Sequence, residues 1–135
     1  MGLDLFVREA IGHTSDAEGR TVWQTVELCN LRGCHNILDR LSSLRGGFDN
    51  CATMSFDDEE LFHDVYDDLI EDRKNYKNYK AFRFKTQTDE EFKKMCDNAV
   101  SELDYEISEL EAFFEQENIK EDTLGTRTFE IHAWW

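Results

Sequence analysis

The chain of 135 residues carries 30 Asp and Glu against 15 Lys and Arg, which gives a formal net charge of −15. Its apolar fraction of 40% and aromatic fraction of 13% exclude a disordered acidic tail, so we expect a single folded domain over residues 1–135. The negative charge argues against direct binding to nucleic acid or to an anionic membrane, because like charges repel.

The first part of the chain predicts a β-hairpin. Leu3, Leu5 and Val7 alternate with other residues, and a period of two is typical of a strand with one buried face. A polar loop over residues 12–19 separates this strand from residues 21–28, which are rich in β-branched side chains. The two segments are close enough in sequence to pair across the loop.

A helix is predicted next. Asn30 is placed to cap a helix that begins at Leu31, because its short side chain can accept a backbone hydrogen bond. Gly33 would be a weak point inside this helix, and the glycine pair at residues 46–47 would end it. A short strand is expected over residues 51–56.

An acidic helix follows. Asp57 and Glu60 have the spacing of a capping box, in which side chains satisfy the free N–H groups at the start of a helix. Its predicted apolar side consists of six residues at helical spacing: Leu61, Phe62, Val65, Tyr66, Leu69 and Ile70.

Two further strands are expected in the second half. Phe82 and Phe84 alternate with basic residues, which favours a strand over residues 81–86. Alternating apolar residues predict a closing strand over residues 126–135.

A long helix lies between those strands. Thr88 and Glu91 form a second capping box, and the helix should reach about residue 116, a length of roughly 40 Å. Its apolar stripe consists of Phe92, Cys96, Ala99, Leu103, Ile107, Leu110 and Phe114. This stripe over residues 92–114 is also a candidate surface for self-association, since an antiparallel helix pair would bury it.

The mixed order of helices and strands predicts an α+β fold. We expect an antiparallel sheet with two or three helices, one of them long, packed on one face.

The negative charge is concentrated in two stretches. Residues 57–72 contain nine Asp and Glu without any Lys or Arg, and residues 101–122 contain nine against one Lys. Concentrated charge creates a directed field, which suits a basic protein surface, including one that normally holds DNA or RNA. The predicted partner-binding residues are Asp64, Asp67, Asp68, Glu71, Asp72, Glu102, Glu106 and Glu109.

A basic and aromatic segment at residues 73–85 leaves an alternative open. It holds six Lys and Arg without an acid, and cations interleaved with aromatic rings can hold phosphates and stack bases. The alternative function is therefore binding or sequestering a small nucleotide. Its candidate residues are Arg32, Arg73, Lys74, Tyr76, Lys77 and Tyr79.

No catalytic or metal-binding motif is legible in the sequence. Cys29, Cys34, His35 and Cys51 lie close together, but they lack the two Cys pairs of a structural zinc site. No Cys or His lies in a recognisable nucleophile loop. We expect a non-catalytic protein without a cofactor or a bound metal.

The cellular location follows from what the chain lacks. No window approaches the roughly 18 apolar residues of a membrane span, and residues 1–9 lack the regions of a signal peptide. A cytoplasmic location with reduced thiols is expected.

The opening residues 1–7, MGLDLFV, are similar to the start of a group of small tailed-bacteriophage proteins, which typically begin Met-Gly-Leu-Asp-Met-Tyr-Leu. Those proteins tend to carry a Trp-containing strand that leads into an Asn-containing helix. Here Val22-Trp23, residues 27–32 (ELCNLR) and His35-Asn36 resemble that pattern, over about the first 45 residues.

The resemblance implies a phage accessory protein that acts inside an infected bacterium. The group has no established activity, so no catalytic residues carry over. By analogy with other small acidic phage proteins, the expected function is to bind and block a basic host protein, as an anti-defence or host-takeover inhibitor.

Overall fold

The computed structural model describes residues 2–45, 53–56, 60–117 and 129–134. Within these ranges the chain forms four strands and three helices, which confirms the α+β class. In chain order they are β1 (Asp4–Ser15), β2 (Thr21–Asn30), α1 (His35–Arg45), β3 (Thr53–Phe56), α2 (Glu60–Lys77), α3 (Asp89–Glu117) and β4 (Phe129–Trp134).

The four strands form one antiparallel sheet in the order β2-β1-β4-β3. The last strand in sequence therefore lies inside the sheet, where Phe6 of β1 pairs with His132 and Ile131 pairs with Met54 of β3. Phe129, Ile131 and Ala133 alternate along β4 and are fully buried. This alternation confirms the predicted closing strand for the part that the structure describes.

The helices cover one face of the sheet. The ring of Phe62 in α2 lies 5.2 Å from Phe129 of β4 and 5.0 Å from Phe113 of α3, both in edge-to-face geometry. The other face is more exposed, and Trp134 is 56% accessible there. The core formed around these contacts includes Leu3, Leu5, Val7, Leu31, Ile37, Leu41, Val65, Leu69, Leu103, Ile107, Leu110 and Ile131.

The amino-terminal hairpin is confirmed, but its strands are longer than predicted. β1 continues to Ser15, and the connection to β2 is only residues 16–20. Asp16 closes this short turn, because its Oδ1 atom accepts the backbone N–H groups of Glu18 and Arg20 at 2.9 Å. The backbone hydrogen bond from Arg20 is the main reason that the pKa of Asp16 lies below its ordinary value.

The prediction that Asn30 caps a helix starting at Leu31 is wrong. The Asn30 side chain instead accepts the backbone N–H of Leu5 at 2.9 Å and donates to the Asp4 carboxylate at 3.0 Å. Its capacity is thus used to join β2 to β1, and α1 begins at His35. Gly33 lies in the turn before the helix with φ of 75°, a conformation that glycine adopts without strain.

The strand predicted over residues 81–86 is absent, and these residues form an irregular loop between α2 and α3. α2 ends in a Schellman arrangement, in which Lys80 N–H binds the Asn75 carbonyl and Tyr79 N–H binds the Tyr76 carbonyl. Tyr79 takes the left-handed position with φ of 56°, where Gly is the usual residue. The helix therefore ends here, and the chain continues into the loop that precedes α3.

The start and the stripe of α3 are largely as predicted. Glu91 N–H donates to the Thr88 hydroxyl at 3.1 Å, and that hydroxyl donates to the Glu91 carboxylate at 3.0 Å. Burial along the helix follows Cys96, Leu103, Ile107, Leu110 and Phe113, so the stripe ends at Phe113, while the predicted Phe114 is only partly buried.

Some predictions lie outside the described residues. These are the cap at Asp57, the glycine pair at residues 46–47, and the outer residues of the strands predicted at 51–56 and 126–135.

Candidate functional site

The outer side of α2 carries a row of acids. Asp64, Asp67 and Glu71 are exposed, and Asp68 beside them is half-buried. Positions three, four and seven apart on a helix lie on one side, with about 5–6 Å between neighbouring Cβ atoms. Asp64, Asp67 and Glu71 make no hydrogen bond or ion pair with the part of the chain that the structure describes. Since no described residue engages these three carboxylates, they are candidates for a contact with another molecule.

Asp72 does not belong to this free row. Its carboxylate forms an ion pair with the guanidinium of Arg40 on α1, and both side chains are partly shielded from solvent. The hydrogen bond to Asp72 is the main reason that the pKa of Arg40 is raised, and Asp68 adds to the effect. The predicted contact residue Asp72 thus joins two helices of its own chain.

Glu106 was predicted to face outward, and this prediction is wrong. Its side chain is 2% exposed, the only polar one so buried among the described residues. One carboxylate oxygen accepts the backbone N–H of Ile37 at 2.9 Å, and the other accepts a hydrogen bond from the Asn36 side chain. Glu106 therefore caps the first turn of α1. The residue just before this helix is Cys34, whose side chain is a poor hydrogen-bond acceptor and cannot serve as the cap.

The pKa of Glu106 is raised above its ordinary value of 4.5. Burial is the largest cause, and the hydrogen bonds from Ile37 and Asn36 oppose it. The sequence does contain a signal for this burial: Glu106 lies between Leu103, Ile107 and Leu110 on the same stripe of α3. An acid at an apolar position of a helical stripe indicates a buried partner.

Glu102 and Glu109 flank the buried carboxylate on the side of α3 that faces the start of α1. Glu102 is exposed and Glu109 is half-buried. Glu102 lines a cleft of about 160 Å³ together with Gly33, His35, Asn36, Tyr105 and Glu106. Small-molecule sites usually have volumes of about 300–1,000 Å³, so this cleft is small for a ligand.

The opposite flank of α3 is joined to α2 by three polar contacts. Tyr66 donates to Glu111 at 3.0 Å, Arg73 pairs with Asp104 at 3.0 Å, and Tyr79 donates to Asp97 at 3.2 Å. The acids of α3 thus divide into one set that holds α2 and another beside α1. Of the eight residues of the predicted acidic surface, Glu106 is buried and Asp72 is paired with Arg40, so these two are not available to a partner.

The residues of the alternative nucleotide site are not brought together. Arg73 and Tyr79 are engaged with α3, and Tyr76 packs partly buried against the core. Arg32 lies on another side of α3, where its backbone carbonyl accepts the Tyr105 hydroxyl at 2.7 Å. Lys74 and Lys77 are exposed on the last turn of α2.

The cysteines that the structure describes are suited to packing. Cys34 and Cys96 are buried, and Cys29 is half-buried. Burial raises the pKa of the Cys34 thiol to about 12, with smaller contributions from Glu106 and Glu109, so the thiol stays protonated at neutral pH. Among the described residues, His, Cys, Asp and Glu form no group of three that could hold a metal ion; Cys51 is not among them.

The apolar stripe of α3 packs into the core of the same chain. Leu103, Ile107, Leu110 and Phe113 are buried in the core of the monomer, so they do not offer the surface predicted for self-association. In the described ranges, none of the three helices combines the length and apolar character needed to cross a membrane.

Comparisons with protein-family models, with curated proteins and with solved structures find no significant match to this chain.

Proposed function

We propose that this protein is a non-catalytic phage accessory protein that binds and blocks a basic surface of a host protein. The contact is made by the acidic side of α2, defined by Asp64, Asp67, Asp68 and Glu71. The resemblance of the first 45 residues supports the phage origin and an action in the cytoplasm of the infected cell.

One observation carries the proposal: three exposed carboxylates stand in a row and have no internal partner in the described part of the chain. Like charges at helical spacing destabilise a helix by a few tenths of a kcal/mol per pair, and no ion pair among the described residues offsets this here. A contact outside the chain gives these residues a use that the fold does not.

The chemistry of the partner follows from the spacing. Acidic residues whose Cβ atoms are about 5–6 Å apart have a charge density of the same order as DNA, which carries a phosphate every 3.4 Å or so along each strand. A host protein whose basic groove normally holds nucleic acid would meet a comparable field. Binding would then be fast and sensitive to salt.

The test uses three proteins that are captured from lysate of the bacterial host at low and high salt. They are the wild type, the variant Asp64→Asn, Asp67→Asn, Glu71→Gln, and a control with three other exposed acids neutralised, Glu27→Gln, Glu90→Gln, Glu115→Gln. Both variants change the net charge equally, so only the position of the charge differs.

The host protein retained by the wild type is then purified and titrated against each protein. We expect the α2 variant to bind at least about tenfold more weakly than the control, and duplex DNA to compete with the wild type. Equal affinities of the two variants, or binding that is unchanged between low and high salt, would rule out this surface.

A further inference from the structure

The loop between α2 and α3, residues 78–88, presents two phenylalanine rings to solvent. Phe82 is 75% exposed and Phe84 is 60% exposed. Their ring centroids are 4.9 Å apart in edge-to-face geometry, so they form one continuous apolar surface. A pair of large aromatic side chains at an exposed loop is unusual for a soluble surface and indicates a contact site.

The exposure of both rings is built into the loop. Arg83, which lies between them, turns toward the start of α3, where it pairs with the exposed Asp89 at 2.6 Å and donates to the Gln87 carbonyl at 3.0 Å. Its guanidinium also lies 5.5 Å from the centre of the Phe92 ring. Arg83 is thus held against the start of α3, and the rings on either side of it extend into solvent.

The charge around this loop is opposite to that of the remaining chain. Residues 73–94 contain eight Lys and Arg against three Asp and Glu, a local charge of +5 within a total of −15. Lys77, Lys80 and Lys85 are exposed and make no ion pair with described residues. Two of the three acids are engaged locally, Asp89 by Arg83 and Glu91 by the Thr88 hydroxyl.

Two acids outside residues 73–94 reach this region, since Asp104 pairs with Arg73 at 3.0 Å and Asp97 accepts the Tyr79 hydroxyl at 3.2 Å. Counting both lowers the local charge from +5 to +3. The free acidic row of α2 and Glu102 lie further away. Glu71 lies seven residues before the loop, about 10 Å along α2, and Glu102 lies about 20 Å along α3 from Asp89. Both distances exceed the Debye length of about 8 Å at physiological ionic strength. A negative surface that approaches the loop between α2 and α3 therefore interacts mainly with the Lys and Arg side chains there.

We propose that the α2–α3 loop is a peripheral docking site for an anionic lipid surface. Phe82 and Phe84 enter the boundary between headgroups and acyl chains, and Lys77, Lys80 and Lys85 contact lipid phosphates. The two rings protrude at the end of a hairpin, so both can enter a plane at once without a complementary pocket. A single nucleic-acid strand would instead need a groove that follows its backbone.

The rest of the molecule determines the orientation of this contact. The chain outside residues 73–94 has a net charge of −20 and is repelled by the same lipids. The hairpin would therefore stand away from the surface with only its loop inserted. This inference does not depend on the proposed function, and it restricts the earlier expectation about anionic membranes to the acidic part of the chain.

The test is co-sedimentation of the full chain with vesicles of phosphatidylglycerol and phosphatidylcholine in equal parts, or of phosphatidylcholine alone, at 0.1 M salt. We expect binding to the mixed vesicles only. Two double variants are compared with the wild type: one carries Phe82→Ser and Phe84→Ser, and the other carries Lys80→Gln and Lys85→Gln. Each should lower the partition coefficient at least about fivefold. A control variant, Val22→Ser, Val26→Ser, removes two apolar side chains that are each 45% exposed on β2, and it should bind like the wild type.

Three outcomes of the vesicle experiment would overturn the proposal. These are no binding of the wild type to the mixed vesicles, equal binding to both vesicle types, or equal loss of binding in the control variant. Tight binding of a single-stranded oligonucleotide without vesicle binding would also overturn it. Because the substituted side chains are exposed, circular dichroism should give all variants the melting temperature of the wild type within about 3 °C.

Discussion

The carboxylate of Glu106 in α3 accepts the backbone N–H of Ile37 in α1 at 2.9 Å, although 69 residues of sequence separate the two. The same carboxylate holds the side chain of Asn36. A helix usually obtains its cap from a residue just before its first turn. Here a buried acid of another helix has that role and fixes the position of α1 against α3.

Replacing Glu106 with Ala should lower the free energy of unfolding by about 2–3 kcal/mol. The change removes a cap and leaves the N–H of Ile37 buried without its partner. Glu106→Gln keeps one acceptor oxygen and should cost about 1 kcal/mol. Urea unfolding followed by circular dichroism measures both values.

The matched control is Glu102→Ala, one turn earlier on α3. Glu102 is exposed and should change stability by no more than about 0.5 kcal/mol. If Glu106→Ala were as mild as this control, the cap would be irrelevant to stability.

The stability should depend on pH through Glu106. Burial raises the pKa of this carboxyl in the folded state above 4.5, and the hydrogen bonds from Ile37 and Asn36 oppose the shift only in part. The folded protein therefore takes up this proton at a higher pH than the unfolded chain does. The stabilisation from protonation is fully present below pH 4.5 and is lost as the pH rises through the folded-state pKa.

The measurement is the difference in unfolding free energy between the wild type and Glu106→Gln from pH 7 down to about pH 5. Because Gln does not titrate, the difference isolates Glu106 from the other carboxyls. The difference should shift in favour of the wild type as the pH falls. A shift in the opposite direction would mean that the fold prefers the ionised carboxylate.

At Tyr79, substitution by Gly should give a more stable protein than substitution by Ala, which is the reverse of the usual order in a helix. Its φ of 56° costs a residue with a Cβ atom about 1–2 kcal/mol, whereas Gly adopts it freely. We therefore expect Tyr79→Gly to be about 1 kcal/mol more stable than Tyr79→Ala, since both lose the bond to Asp97. Thermal unfolding of the two variants tests this.

Lys77 supplies the comparison, because it lies in the last turn of α2 with helical geometry. There Ala should be the more stable substitution, by up to about 1 kcal/mol. Finding Ala more stable than Gly at both positions would contradict the left-handed conformation of Tyr79.

The ion pair between Arg40 and Asp72 should show measurable coupling. The two side chains are 37% and 32% exposed, which places the pair between a surface contact and a buried one. A double-mutant cycle with Arg40→Ala and Asp72→Ala should give about 0.5–1 kcal/mol, and less in 1 M salt.

The comparison pair is Arg20 and Glu18 in the hairpin turn, at 72% and 70% exposure. Its coupling should be below about 0.3 kcal/mol, because solvent screens exposed charges. Equal coupling of the two pairs would show that α1 and α2 are not held by this contact.

Local patterns predicted the elements whose residues depend on their neighbours in sequence. The alternation of Leu3, Leu5 and Val7 predicted a buried strand face, and Thr88 with Glu91 predicted the start of α3; both are confirmed. In each case the deciding interaction is a period or a spacing within a few residues.

The predictions that failed depend on partners far away in sequence. Asn30 has the right chemistry for a cap, but its side chain binds the Asp4 carboxylate and the Leu5 N–H of β1 instead. Glu106 was predicted to be one of several surface acids, because its partner lies on another helix and is not visible in the neighbouring sequence. Arg83 pairs with Asp89 and lies over Phe92 at the start of α3, so the alternation around it did not make a strand. Sequence spacing alone does not specify such choices.

The long sequence separation between Glu106 and the helix that it caps has a consequence during synthesis. The start of α1 emerges from the ribosome some 69 residues before its cap is made, an interval of roughly 3–14 s at ordinary translation speed. Through that interval the nascent helix has an open first turn, and a truncated product ending before α3 would keep it. The amino-terminal half thus acquires its final shape only after most of the polypeptide has been translated.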